Sequence, residues 1–267
     1  MEALDRQAIR TVQLDVLQAI DGFCRREGLR YSLACGTMLG AVRHKGYIPW
    51  DDDIDIYLLR EDYEKLMASF PAVLDGHVQL ASLERDPDCD MAFAKAYDNR
   101  TLYFEYAHPS EGLGVNIDVY PIDDVPDDDR AWKRYDRRRR FFQKAYQVKF
   151  IRIVRERSLL KNALLVLMKL PVLAISRKRL ARFLSRYSQK FNGRGYCSVF
   201  ECAQGLLQKH KFPKSLFDQM AGYPFEDRVF QGFEDADSYL RNAYGDYMKL
   251  PPVEKRVTSH LFEAYWK

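Results

Sequence analysis

Cysteine is scarce and unpatterned in this chain of 267 residues. Its five cysteines, Cys24, Cys35, Cys89, Cys197 and Cys202, are odd in number, and no two have the two-residue spacing of a zinc knuckle. That excludes a disulfide framework and a small zinc module, and leaves reduced thiols in a cytosolic compartment as the expectation. A long apolar run is also missing. The most apolar stretch, residues 158–175, is interrupted by Lys161, Asn162, Lys169 and Pro171, which is too short and too broken to span a bilayer. The opening MEALDRQAIRTVQLDVLQAIDGF carries internal charges in a helical pattern, not a basic-then-apolar export signal. There is no internal repeat and no low-complexity linker.

What is present is a globular composition: 47% hydrophobic, 30% charged and 13% aromatic. A chain of this length can bury roughly 75% of its unfolded surface. The net charge of +4 conceals a segregation, because residues 127–190 hold 20 Lys and Arg against 5 Asp and Glu. The rest of the chain is therefore acidic, and so large a separation needs a partner or an internal explanation.

Apolar residues at helical spacing predict a first helix over 3–27, ended by Gly28. A short strand at 30–34 runs into a Cys35-Gly36-Thr37 turn and a helix from Met38 to about His44. An acidic strand follows at 52–58, then a helix over 60–70 stopped by Pro71. Alternating runs at 78–83, 91–97, 101–106 and 114–121 read as strands of a mixed sheet. Asp127, Asp128 and Asp129 are placed to cap a long basic helix running to about Arg157. Another helix spans 177–191, a strand lies near Val229, a helix covers 235–244, and a final helix follows the Pro251-Pro252 break. The expected class is α+β, a mixed sheet flanked by helices with a basic helical insertion. Three parts are expected: a catalytic core at 1–126, the basic helical segment at 127–193, and a C-terminal part at 194–267 that packs back on the core.

The chemistry is concentrated in residues 33–58, LACGTMLGAVRHKGYIPWDDDIDIYL. On a strand, the spacing of Asp53 and Asp55 puts both carboxylates on one face and the intervening isoleucines on the other. Two such groups repel unless a cation sits between them, and a divalent metal is the obvious candidate. An EF-hand loop beginning at Asp51 fails, because its sixth and twelfth positions hold Ile56 and Asp62 instead of Gly and Glu. On these residues alone a solvated acidic turn remains the commoner outcome. Asp118, set among Ile117, Val119 and Tyr120, adds a third carboxylate on a strand, as nucleotidyltransferase-fold enzymes do.

Residues 36–58, GTMLGAVRHKGYIPWDDDIDIYL, closely resemble the signature of the LicD family, which includes fukutin-related proteins. The likeness continues in VNIDVYP at 115–121, in YPFE at 223–226, and in YGDYM at 244–248 with LPP at 250–252. Asp227 departs from the pattern, where glycine is expected after Phe-Glu. The resemblance implies a nucleotidyltransferase-like core and transfer of a phospho-alcohol, phosphocholine above all, from a CDP-linked donor to a sugar hydroxyl of a cell-surface glycan or its lipid-linked precursor. It implies Mg²⁺, with Mn²⁺ as a substitute, held by Asp53, Asp55 and Asp118, the last as third ligand or general base. Gly36 and Thr37 would meet donor phosphate, and Arg43, His44 and Lys45 would neutralise its charge. Lys95 is a weaker candidate for the same role. Trp50 is either a stacking surface for a base or choline group or a core residue. Glu226, Asp246 and His260 either position substrate or serve the fold. The partners implied are a CDP-alcohol, with CDP-choline favoured, and a glycan acceptor.

Rival readings are a nucleotidyltransferase acting on a small molecule or an RNA end, and a non-catalytic scaffold that binds glycan or membrane. The basic segment has three readings: an anionic membrane surface on the cytoplasmic side, internal packing, and, least favoured, nucleic acid.

Overall fold

A computed structural model describes residues 1–70, 76–86, 88–105, 113–149, 160, 166–167, 169–203, 211–257 and 262–267. Pro71, Tyr106, His260 and the expected helical continuation over 150–157 lie outside the described residues. After a two-residue strand β1 (Glu2–Ala3), helix α1 (Arg6–Glu27) is capped by Asp5, whose carboxylate accepts the Ala8 N–H at 2.7 Å, and ends at Gly28. Its apolar stripe of Val16, Leu17, Ile20 and Phe23 is buried against the sheet. Strand β2 (Tyr31–Leu33) passes through Cys35, at φ 47°, directly into α2 (Cys35–His44). Gly36 and Thr37 therefore occupy the first turn of a helix, where a free turn was expected.

Next come β3 (Asp55–Leu59), α3 (Arg60–Ser69), β4 (Val78–Ala81), β5 (Ala94–Asp98), β6 (Thr101–Glu105) and β7 (Asn116–Val125). The principal sheet runs β2-β3-β7-β5-β4, with β3 and β7 parallel and the other neighbours antiparallel. This mixed sheet with helices around it is the α+β class expected. Strand β7 runs past Pro121, where the sequence pattern ended it. One edge of β7 pairs with β5 up to Val119 and with β8 (Ser198–Phe200) from Asp123, and Pro121, which lacks an N–H, falls in the gap between them.

Helix α4 (Asp129–Val148) starts at Asp128, which accepts the Ala131 N–H at 2.8 Å. Trp132, Tyr135, Arg139 and Gln143 form its buried face. Trp132 packs on Phe200, and Tyr135 stacks on Tyr187 of α5 (Arg177–Ser188). The fully buried Arg139 guanidinium is held by Asp136 at 2.7 Å and Gln143 at 2.9 Å, over the Phe200 ring. The remaining strands are β9 (Phe212–Pro213), β10 (Met220–Phe225) and β11 (Arg228–Phe233), with α6 (Ala236–Tyr244) after them. The chain closes with β12 (Phe262–Trp266), which pairs antiparallel with β1 and β6. A final helix was expected here. Ring contacts of Tyr103 with Phe262 and of Phe104 with Tyr265 favour the extended form, because successive side chains of a strand can meet a partner strand.

One buried ion pair ties these parts together. Arg60 Nε and Nη2 donate to the two Asp123 oxygens at 2.9 and 2.8 Å, and the side chains are 7% and 0% exposed. Asn192 Nδ2, beyond α5, also donates to Asp123 at 2.7 Å. Removing one partner strands a buried charge. Arg60→Ala is therefore expected to lower the unfolding free energy by about 3–5 kcal/mol, and Arg60→Met with Asp123→Leu by much less. Urea unfolding midpoints of the three proteins check this.

Candidate active site

The site is set by strand register. In the parallel β3–β7 ladder Asp55 stands opposite Asp118, and in the antiparallel β5–β7 ladder Lys95 stands opposite Asp118 from the other side. Neighbouring strands lie about 4.8 Å apart, so the three side chains are within reach of one another. Lys95 Nζ donates to Asp118 Oδ1 at 2.6 Å and to Asn116 Oδ1 at 3.0 Å, and the Tyr120 hydroxyl donates to Asp118 Oδ2 at 2.9 Å. The Lys95 side chain is only 12% exposed, so it is not a solvated surface lysine.

Asp51, Asp52 and Asp53 precede β3 and do not belong to it, so the acidic strand begins three residues later than the sequence pattern suggested. Pairing nevertheless reaches back to Ile54, whose carbonyl accepts the Asp118 N–H at 2.8 Å. Carboxylate oxygens of Asp51, Asp52 and Asp53 lie within 4.8 Å of one another. Asp55 is buried, and burial followed by repulsion from Asp53, Asp118 and Asp51 pushes its carboxyl well above the ordinary range, with Lys95 opposing. At Asp55 burial and the neighbouring carboxylates outweigh the attraction of Lys95. An all-oxygen donor set with excess negative charge suits a hard divalent cation such as Mg²⁺ or Mn²⁺, so the residues present fit one.

The acids are held where they repel by groups that bond to backbone. Thr37 Oγ1 accepts the Asp55 N–H at 2.8 Å. A Cβ on Gly36 would collide with the Asp51 carboxylate, so glycine there lets that carboxylate approach the first turn of α2. Arg6 and Arg10 of α1 each donate to the Asp51 carbonyl at 2.9 Å, and Gln13 Nε2 donates to the Asp52 carbonyl at 3.0 Å. Gln13 also accepts the Tyr47 hydroxyl at 2.9 Å. These three α1 residues escaped the sequence reading. Their signal was polar side chains at 6, 10 and 13, one helical face of an otherwise amphipathic segment.

The other candidates separate into two groups. Arg43 and His44 sit in the last turn of α2, with Arg43 Nε donating to His44 Nε2 at 2.9 Å. Lys45 is exposed and left-handed at φ 61°, where it ends α2. Trp50 is half-buried between His44 and Arg256. Glu226 serves the fold. Its carboxylate accepts the Tyr47 N–H at 2.9 Å and packs against Gly46, while its own N–H donates to the Lys45 carbonyl. The β10–β11 turn puts positive φ on Glu226, at 56°, and not on Asp227, so a glycine at 227 is not needed. Asp246 is exposed.

A family model described as LicD/FKTN/FKRP, nucleotidyltransferase domain, matches residues 28–156. The lipopolysaccharide cholinephosphotransferase LicD of Haemophilus influenzae is 30% identical over 267 residues, covering 99% of each chain. The chain belongs to the LicD family. An uncharacterised Rickettsia typhi protein is 42% identical over 132 residues, covering 42% of each chain. The LicD-family domain match contains Asp51, Asp52, Asp53, Asp55 and Asp118, while Arg6, Arg10 and Gln13 precede it.

Gly36→Ala is expected to push Asp51 aside and weaken divalent-cation binding about tenfold or more, with little loss of stability. Titration calorimetry with Mg²⁺ and a thermal melt measure the two effects separately.

Proposed function

We propose that this LicD-family chain transfers phosphocholine from CDP-choline to a hydroxyl of lipopolysaccharide or a related cell-surface glycan. The observation that carries the reading is end-to-end similarity to a cholinephosphotransferase, in a chain that gathers Asp51, Asp53, Asp55 and Asp118 at one place. Asp53, Asp55 and Asp118 would hold Mg²⁺, or Mn²⁺ in its stead, which when bound would neutralise diphosphate oxygens and stabilise the departing CMP.

In the transfer, the acceptor oxygen forms a bond to the phosphorus bearing choline, and the bond from that phosphorus to the bridging oxygen of CMP breaks. Asp118 serves as third metal ligand or as the base that takes the hydroxyl proton, with Lys95 and Tyr120 fixing its orientation. Thr37 and Gly36, in the first turn of α2, bring backbone N–H groups toward phosphate, and Gly36 does so through backbone alone. Lys95 beside the acids adds positive charge for the donor diphosphate, while Arg43 and Lys45 lie at the other end of α2. Positioning and fixed charge do most of the work in such a transfer.

Asp53→Asn and Asp55→Asn are each expected to cut CMP release from CDP-choline about 100- to 1,000-fold. Without divalent cation neither should melt below the parent, because each removes repulsion from a crowded cluster. Mass spectrometry of the nucleotide products reads the first effect and a thermal melt the second. Near-normal turnover in both variants would sink the mechanism, and pyrophosphate from a triphosphate donor would favour a nucleotidyltransferase.

Membrane contact on the cytoplasmic side belongs to the same proposal. Among the described residues no helix is long and apolar enough to cross a membrane. Among the described residues, eight of the sixteen exposed large apolar side chains nevertheless fall between Phe141 and Phe183, among exposed basic residues such as Arg137, Arg138, Arg140 and Arg182. Apolar groups ringed by cations suit an anionic bilayer surface, where a lipid-linked acceptor would reside. The protein should float with phosphatidylglycerol vesicles at low salt and be released by high salt; retention in the bottom fraction at low salt would refute this contact.

A further inference from the structure

Two arginines, Arg43 and Arg256, gather with the neutral His44 ring, whose Nε2 accepts from Arg43, around Trp50, with no acidic counterpart among the described residues. Arg43 and His44 come from the last turn of α2, and Arg256 follows the short helical turn Val253–Lys255. Arg43 spends Nε on His44 Nε2 and Nη1 on the Tyr247 carbonyl at 2.7 Å. Arg256 spends Nε on the Pro251 carbonyl at 2.9 Å, and its guanidinium lies 5.6 Å from the Trp50 ring centre. The His44 ring meets Trp50 edge-on at 6.4 Å. All four side chains are half-buried. Among the described residues, no carboxylate pairs with Arg43, His44 or Arg256. Partial burial and the neighbouring Arg256 charge lower the affinity of Arg43 for its proton, and burial with Arg43 does the same to His44. Holding like charges together in a half-buried place is unfavourable unless an anion completes the set.

The position of the cluster says which anion. Thr37 touches the acid site and Arg43 lies six residues further along the same helix, a separation of about 9 Å along its axis. The two phosphorus atoms of a diphosphate share one bridging oxygen, so a donor diphosphate at the acids is short against that separation.

We infer that Arg43, His44 and Arg256, beside Trp50, bind a phosphate carried by the acceptor glycan, separate from the diphosphate of the donor. The naming of donor and acceptor rests on the phosphotransfer reading, whereas the anion site stands on its own geometry. The substrate class is thus a phosphorylated sugar whose reacting hydroxyl reaches the acids while its phosphate is held at the far end of α2.

The test needs no turnover. The chain has three tryptophans, and the Trp50 indole N–H resonance of the full-length, metal-free protein is assigned by its loss in Trp50→Phe. Glucose 6-phosphate is expected to shift that resonance saturably, and glucose at equal concentration to leave it unmoved. Arg256→Gln, and the double variant with Arg43→Gln, should weaken the response about tenfold or more, with Arg256→Lys retaining most of it. Asp53→Asn should respond as the parent does. CMP, the donor fragment, should not displace glucose 6-phosphate. The inference is overturned if the sugar phosphate leaves Trp50 unmoved, if Arg256→Gln responds like the parent, or if CMP competes. Failure of CMP release with an intact Trp50 response would refute the phosphotransfer reading and leave the anion site standing.

Discussion

Carboxylates that repel one another must be kept together by something other than their own interactions, and much of this molecule answers to that constraint. Asp55 and Asp118 are brought level by the parallel pairing of β3 and β7, a ladder that fixes backbone regardless of side-chain charge. Asp51 and Asp52 are held by their carbonyls, gripped by Arg6, Arg10 and Gln13, so the chain is tied down through its backbone. Gly36 and Thr37 then bring the first turn of α2 against the same group. The strain of like charge is thus opposed by backbone hydrogen bonds and by the hydrophobic packing of α1, α2 and the sheet.

The charge segregation along the sequence has a partial internal explanation. Arg139 is absorbed into the packing between α4 and β8, and the segment after α5 is tied to β7 through Asn192, which bonds Asp123 and Asp124. These contacts use few of the basic residues, and exposed cations remain on α4 and α5, with one exposed phenylalanine on each, Phe141 and Phe183. Acidic strand ends and basic helices are thus kept apart in the fold as they are along the chain.

The acid set was legible because it is written in short motifs whose chemistry needs those residue types, and because residues 36–58 carry a family signature. The elements with strong periodicity, α1, α3 and the strand bearing Asp118, were legible for the same reason: a repeat of 3.6 or 2 survives without knowing the neighbours. What failed were boundaries decided by contact. Pro121 reads in the sequence as the end of β7, yet the strand continues because two different partners leave a gap at that residue. The last strand carries no periodicity that separates it from a helix, and only its pairing with β1 and β6 selects the extended form.

The identity and local order of the acids, the helix that precedes them and the charge imbalance follow from the residues themselves, since propensity, spacing and composition are local properties. Which cations stand beside which acids does not. Lys95 reaches Asp118 through strand register, Arg256 reaches Trp50 across more than two hundred residues of chain, and Arg6, Arg10 and Gln13 find the acidic loop only once α1 lies against the sheet. Electrostatic and hydrogen-bond partners are set by distance in space, and that distance exists only after the backbone has closed.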